Sequence, residues 1–153
     1  MADLRKEFTE FMKTAMKSKD EIGTATVRLI IAALKERDIN ARGQGREAVD
    51  ENEILSMLQS MVKQRQESLK IYTDAKRPDL ADREAAEIRV IETFLPKQMD
   101  ESEAEAAVAK LIAELGVTSI KDMGRVMAEL KTRFAGQMDM AKASGMVKSK
   151  LAA

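Results

Sequence analysis

Phe94-Leu95-Pro96-Lys97-Gln98-Met99 divides this chain of 153 residues. Pro96 pushes Leu95 out of the helical region into an extended conformation, so a helix arriving from the N-terminal side stops there. Asp100 follows at once, and with Glu103 it has the spacing of a capping box that starts a new helix. The stretch is read as the boundary between residues 1–95 and residues 96–153. On both sides of it apolar residues recur at three- and four-residue intervals, and the alternation of a β-strand is absent. Only two prolines and seven glycines interrupt the pattern. The chain is predicted to be all-α, with two helical subdomains: an N-terminal four-helix part containing a long helical hairpin, and a C-terminal three-helix bundle.

Upstream of the boundary, Leu80, Ala81, Ala85, Ile88 and Ile91 mark a helix reaching Phe94. It is entered through Lys76-Arg77-Pro78-Asp79, with Asp79 as its expected cap. Before that break, Asp50 and Glu53 open a helix to about Asp74, with Leu55, Leu58, Val62, Leu69 and Tyr72 as its apolar stripe. The short break predicts an antiparallel pair. Asn40-Ala41-Arg42-Gly43-Gln44-Gly45-Arg46 has no period and is predicted as a loop. The helix before it, Asp20 to Asp38, is apolar almost all round from Val27 to Leu34, which predicts packing on more than one side. The first helix spans Asp3 to Met16, around Leu4, Phe8, Phe11 and Ala15. Downstream, a helix carrying Ala104, Val108 and Leu111 ends at Gly116. Ser119 and Asp139 are the expected caps of two more.

Composition narrows the chemistry. At 44% hydrophobic and 34% charged residues the chain can bury a core. Lys plus Arg and Asp plus Glu are both 26, so there is no overall basic coat for a polyanion. Cysteine and histidine are absent. That excludes zinc fingers, thiol nucleophiles, serine–histidine triads and imidazole acid–base chemistry. No phosphate-loop, dinucleotide or EF-hand motif occurs, so neither cofactor nor metal is expected. No apolar run approaches the roughly 20 residues of a membrane span. Met1 to Glu7 lacks a signal-peptide core. These features predict a soluble cytoplasmic protein with no membrane partner.

Two groups of charged residues stand out. Arg65 interrupts the Leu58-Val62-Leu69-Tyr72 stripe, and Glu84 and Glu87 come level with it in an antiparallel hairpin. A structural ion pair is expected, because buried charge is normally paired; a ligand-binding arginine is the alternative. From Gly116 to Ala153 seven bases outweigh three acids. The bases are Lys121, Arg125, Lys131, Arg133, Lys142, Lys148 and Lys150. They form either a solvated face or a contact surface for a phosphate backbone. Met123, Met127, Met138, Met140 and Met146 crowd the same segment, as core filling or as an adaptable binding surface.

Several strings resemble the stand-alone YqeY proteins. They are Gln64 to Tyr72, Arg77-Pro78-Asp79-Leu80-Ala81, Glu84 to Ile88, Phe94 to Met99, Lys121-Asp122-Met123-Gly124-Arg125-Val126-Met127, and Gly136 to Leu151. The resemblance runs in order over essentially the whole chain. It implies two all-helical subdomains. It also implies kinship with the tail domain of the GatB subunit of tRNA-dependent amidotransferase, and a carbon–nitrogen ligase label with glutamine as amido donor. The chain has no motif for a glutaminase nucleophile or for an ATP- and magnesium-binding cradle, and no catalytic residue carries over. The resemblance therefore implies a non-catalytic adaptor in tRNA-dependent amidation. It would bind tRNA through the C-terminal bases near Gly124, or associate with an amidotransferase subunit. The rival readings are a helical protein–protein interaction module unrelated to RNA and an enzyme acting on amide nitrogen.

Overall fold

The structure, a computed structural model, describes residues 3–152. Those residues form seven α-helices and one 3₁₀ turn, with no strand among them. The chain divides into two compact units, Met1–Leu95 and Pro96–Ala153.

The first unit contains α1 (Leu4–Lys17), α2 (Glu21–Gly43), α3 (Glu51–Asp74) and α4 (Pro78–Glu92). Asp3, Asp20 and Asp50 cap the first three, each carboxylate accepting a backbone N–H three residues on. Asp50 and Glu53 form the reciprocal capping box. Such a cap contributes about 1 kcal/mol. The core gathers Phe8 from α1, Val27 and Ile30 from α2, Ile54, Met57 and Leu58 from α3, and Ile91 from α4. Phe94 closes it behind α4, its ring edge-on to Phe8 at 4.9 Å and to Phe11 at 5.3 Å.

Three local expectations for this unit are corrected. First, the segment Asn40 to Gly43 is helical rather than loop, because Ala41 is buried in the core and holds the last turn of α2 in place. The loop proper begins at Gln44. Second, Asp79 does not cap α4. Arg77 occupies the cap position and Pro78 the first turn, where its missing N–H costs nothing. The Asp79 carboxylate instead receives two N–H bonds from Arg77, at 3.0 and 3.1 Å. Third, the buried face of α3 is Ile54, Met57, Leu58 and Met61. It is rotated from the expected stripe because α3 packs on both α4 and α2. Leu55, Val62, Leu69 and Tyr72 are half-buried.

The second unit contains α5 (Glu101–Leu115), a 3₁₀ turn (Ile120–Asp122), α6 (Met123–Arg133) and α7 (Met140–Ala152). Asp100 caps α5, and Gly116 ends it in the left-handed region at φ 65°. Ser119 caps the 3₁₀ turn rather than α6 directly. Asp139 accepts the N–H groups of Ala141 and Lys142 at the start of α7. A separate core joins Val108 and Leu111 with Val126, Leu130, Ala143 and Val147. Met138 is buried in it, while Met123, Met127, Met140 and Met146 pack half-buried around it. Met99 N–H donates to Gln137 O at 2.8 Å, tying the entry of this unit to the turn before α7.

Candidate functional site

The hairpin of α3 and α4 brings Arg65 to Glu87. Arg65 Nε donates to Glu87 Oε2 at 3.1 Å, and a second guanidinium nitrogen reaches Met61 O at 3.2 Å. Both side chains are largely buried, at 14% and 10% exposure. Arg83, four residues before Glu87 on α4, supplies a second cation at 3.5 Å. Glu84 lies beside the pair without an ion pair to Arg65. Burial first, and the neighbouring Glu87 charge second, push its carboxyl above the usual range, against the pull of Arg65 and Arg83. No buried side-chain polar atom in the described residues lacks a hydrogen-bond partner. Arg65 thus engages Nε and one terminal nitrogen inside the hairpin.

All seven C-terminal bases are exposed, on the 3₁₀ turn, α6 and α7. Arg133 is held by two carboxylates, Glu114 at 2.6 Å and Glu129 at 3.2 Å. Its bond to Glu114 lowers that carboxyl below its ordinary range. This base is therefore already neutralised within the unit. Gly124 lies exposed in the first turn of α6 with open space around it.

Two features escaped the sequence reading. One is a charged knot between α1, α2 and the segment entering α3. Arg5 clasps Asp38 with two bonds at 2.8 and 2.9 Å, and also donates to Val49 O at 3.1 Å. Asp38 in turn accepts Val49 N–H at 3.1 Å. The Arg5 guanidinium draws the Asp38 carboxyl down to about 2 from its ordinary 3.8. Residues 33 positions apart give no local signal of this pairing.

The other is the outward face of α2. Its core side is Gly23, Thr26, Val27, Ile30, Leu34 and Ala41. On the opposite side Ile22, Ala25, Leu29, Ala32 and Ile39 fall within about 100° of arc at 3.6 residues per turn, with the exposed Glu36 among them. Leu29 is 47% and Ile39 55% exposed. As expected for this helix, it packs on more than one side, against α1, α3 and α4, while Ile22, Leu29 and Ile39 on its outward face remain partly exposed. At one end, Met16, Thr24, Ala25 and Arg28 line a shallow groove between α1 and α2. Among the described residues no acidic cluster is arranged to hold a metal ion. No helix among them is long and apolar enough to cross a membrane.

A family model described as Yqey-like protein matches residues 5–151. The chain belongs to the YqeY family. Curated relatives of this YqeY-family chain are named Altered inheritance of mitochondria protein 41, mitochondrial. That of Lachancea thermotolerans is 32% identical over 75% of this chain and 59% of its own length. That of Vanderwaltozyma polyspora is 27% identical over 73% and 62%, and that of Pyrenophora tritici-repentis 30% over 80% and 68%. The chain spans about three fifths of the length of the first of these relatives. These names correct two expectations. The relatives are named for mitochondrial inheritance and not as amidotransferase subunits, so the adaptor role in tRNA-dependent amidation does not stand. They are also named as mitochondrial proteins, which overturns the cytoplasmic assignment. A shared helical fold carries over the scaffold but not the partner, because function resides in particular sites.

Proposed function

We propose that this chain is a helical docking module that holds a protein partner on the outward face of α2. The observation behind this reading is a row of apolar side chains on one exposed helix face, Leu29 and Ile39 foremost. Such side chains gain about 25 cal/mol per Å² when a partner removes them from water. Scattered surface leucines need no explanation, but an aligned row on one helix matches the way helices bind in grooves or against each other. The likeness to relatives named for altered inheritance of mitochondria supports a place for the module in a mitochondrial process.

The test is Leu29→Asp. The position is solvent-exposed, so stability should change by no more than about 0.5 kcal/mol. The unaltered chain, directed to mitochondria in Saccharomyces cerevisiae lacking its own relative, should restore mitochondrial inheritance, and Leu29→Asp should not. Full activity of a folded Leu29→Asp chain would end this reading.

A further inference from the structure

We infer that the partner presents an amphipathic helix with an acidic edge to α2; the inference rests on the docking reading above. Arg28, Lys35 and Arg42 recur every seven residues along α2. Seven residues are nearly two turns, so the three side chains form a line along one edge of the apolar face, spaced about 10.5 Å apart. All three are exposed. None is in an ion pair within 4.0 Å among the described residues. Arg42 does act on Asp38 through space, but that carboxylate is already clasped by Arg5. The face thus offers an apolar stripe, Ile22-Ala25-Leu29-Ala32-Ile39, interrupted once by Glu36, beside three cations outside any ion pair, of which Arg28 shares its groove with Asp20 and Glu21. Of the acids on this side of the helix, the exposed Glu36 falls within the apolar arc between Ala32 and Ile39, and Glu21 lies one heptad before Arg28.

A helix lying along this stripe meets the basic line with its own flanking positions. Acids at every seventh residue there would pair with Arg28, Lys35 and Arg42 in turn, as flanking charges do in paired helices. A second copy of this chain is disfavoured by the same line. A two-fold axis that sets α2 antiparallel to its copy brings the same edge of each helix together, so Arg28, Lys35 and Arg42 would face Arg42, Lys35 and Arg28 of the other copy. Like charges so placed repel and select against that pairing. The antiparallel second copy is thereby disfavoured, and the occupant that matches both the stripe and the basic line is a different sequence, apolar on one face and acidic on its flank.

The experiment uses the full chain and two synthetic helical peptides of about 21 residues, long enough to span six turns. Both carry the same leucine stripe; one has Glu at every seventh flanking position and the other Lys. Binding is read by fluorescence anisotropy at low and high salt, with helical content checked by circular dichroism. The acidic peptide should bind at least tenfold more tightly than its basic twin, and the margin should shrink as salt rises. The combined variant Arg28→Glu, Lys35→Glu, Arg42→Glu should reverse the preference, and Leu29→Asp should weaken both peptides. Equal binding of both peptides, still lost in Leu29→Asp, overturns the acidic assignment and leaves the docking face standing. Binding indifferent to Leu29 and to the three bases overturns both. A dimer in sedimentation equilibrium that Leu29→Asp dissolves assigns the face to a second copy and also overturns the proposal.

Discussion

Arg65 shows what a charge within an apolar stripe does. Its pair with Glu87 lies largely out of water, so removing one partner leaves the other desolvated. Arg65→Ala should lower stability by about 2–4 kcal/mol in chemical denaturation. Replacing both partners, Arg65→Met with Glu87→Leu, should recover most of the loss, since apolar residues of similar volume remove the desolvation penalty. Stability of the double variant as low as that of Arg65→Ala would assign the arginine another role. Asp38 makes a pH-dependent contribution. Its folded pKa, about 2, lies below its ordinary 3.8. The carboxylate therefore binds protons less readily when folded, and its contribution is complete above about pH 4 and disappears as pH falls toward 2. Asp38→Asn should destabilise the chain by about 1.5–3 kcal/mol at neutral pH, the range of a hydrogen bond to a charged group, with the gap to the unaltered chain closing in acid. A gap that stays constant down to pH 2 would refute this assignment. Arg65 was visible in the sequence because it broke a pattern. Arg5 and Asp38 were not, because each sits on an ordinary helix surface until α1, α2 and Val49 meet.

Helix ends were legible wherever a short side chain serves the backbone beside it. Asp20, Asp50 and Asp100 cap helices through bonds that span three residues, and Gly116 stops α5 through its own backbone. Non-local contacts moved the ends that differed: burial of Ala41 extended α2 through a glycine-flanked polar segment. The turn between α3 and α4 runs through Lys76 at φ 57°, a left-handed conformation that a side chain opposes. There Arg77 N–H reaches back to Tyr72 O at 2.9 Å and closes the helix end. Lys76→Gly should therefore stabilise the chain, and Gly116→Ala, at φ 65°, should destabilise it. Each effect should be about 0.5–1 kcal/mol in thermal unfolding. The same sign for both substitutions would contradict the backbone argument.

At the scale of the molecule, two cores mean two sets of packing energies. Leu130 is fully buried in the second core, among Val108, Val126 and Val147. Leu130→Ala should cost about 2–5 kcal/mol, the range for a buried leucine that leaves a cavity. Amide hydrogen exchange should then accelerate across α5, α6 and α7 while amides of α1 to α4 keep their protection. Equal acceleration in both units would show that they unfold together. The helix break at Pro96 was readable because the proline acts on its immediate neighbour. The exposed side of α2 was not, because an apolar helix face looks the same in sequence whether another helix covers it or water does.

The sequence by itself determined the helical class, most of the caps and the break at Pro96, all of which depend on hydrogen bonds and steric clashes within a few residues. Only the tertiary structure decided which faces are buried, which charges meet across distant segments, and which apolar row is left outside. Those outcomes depend on how helices far apart in the chain compete for the same contact area, and no local pattern records the result.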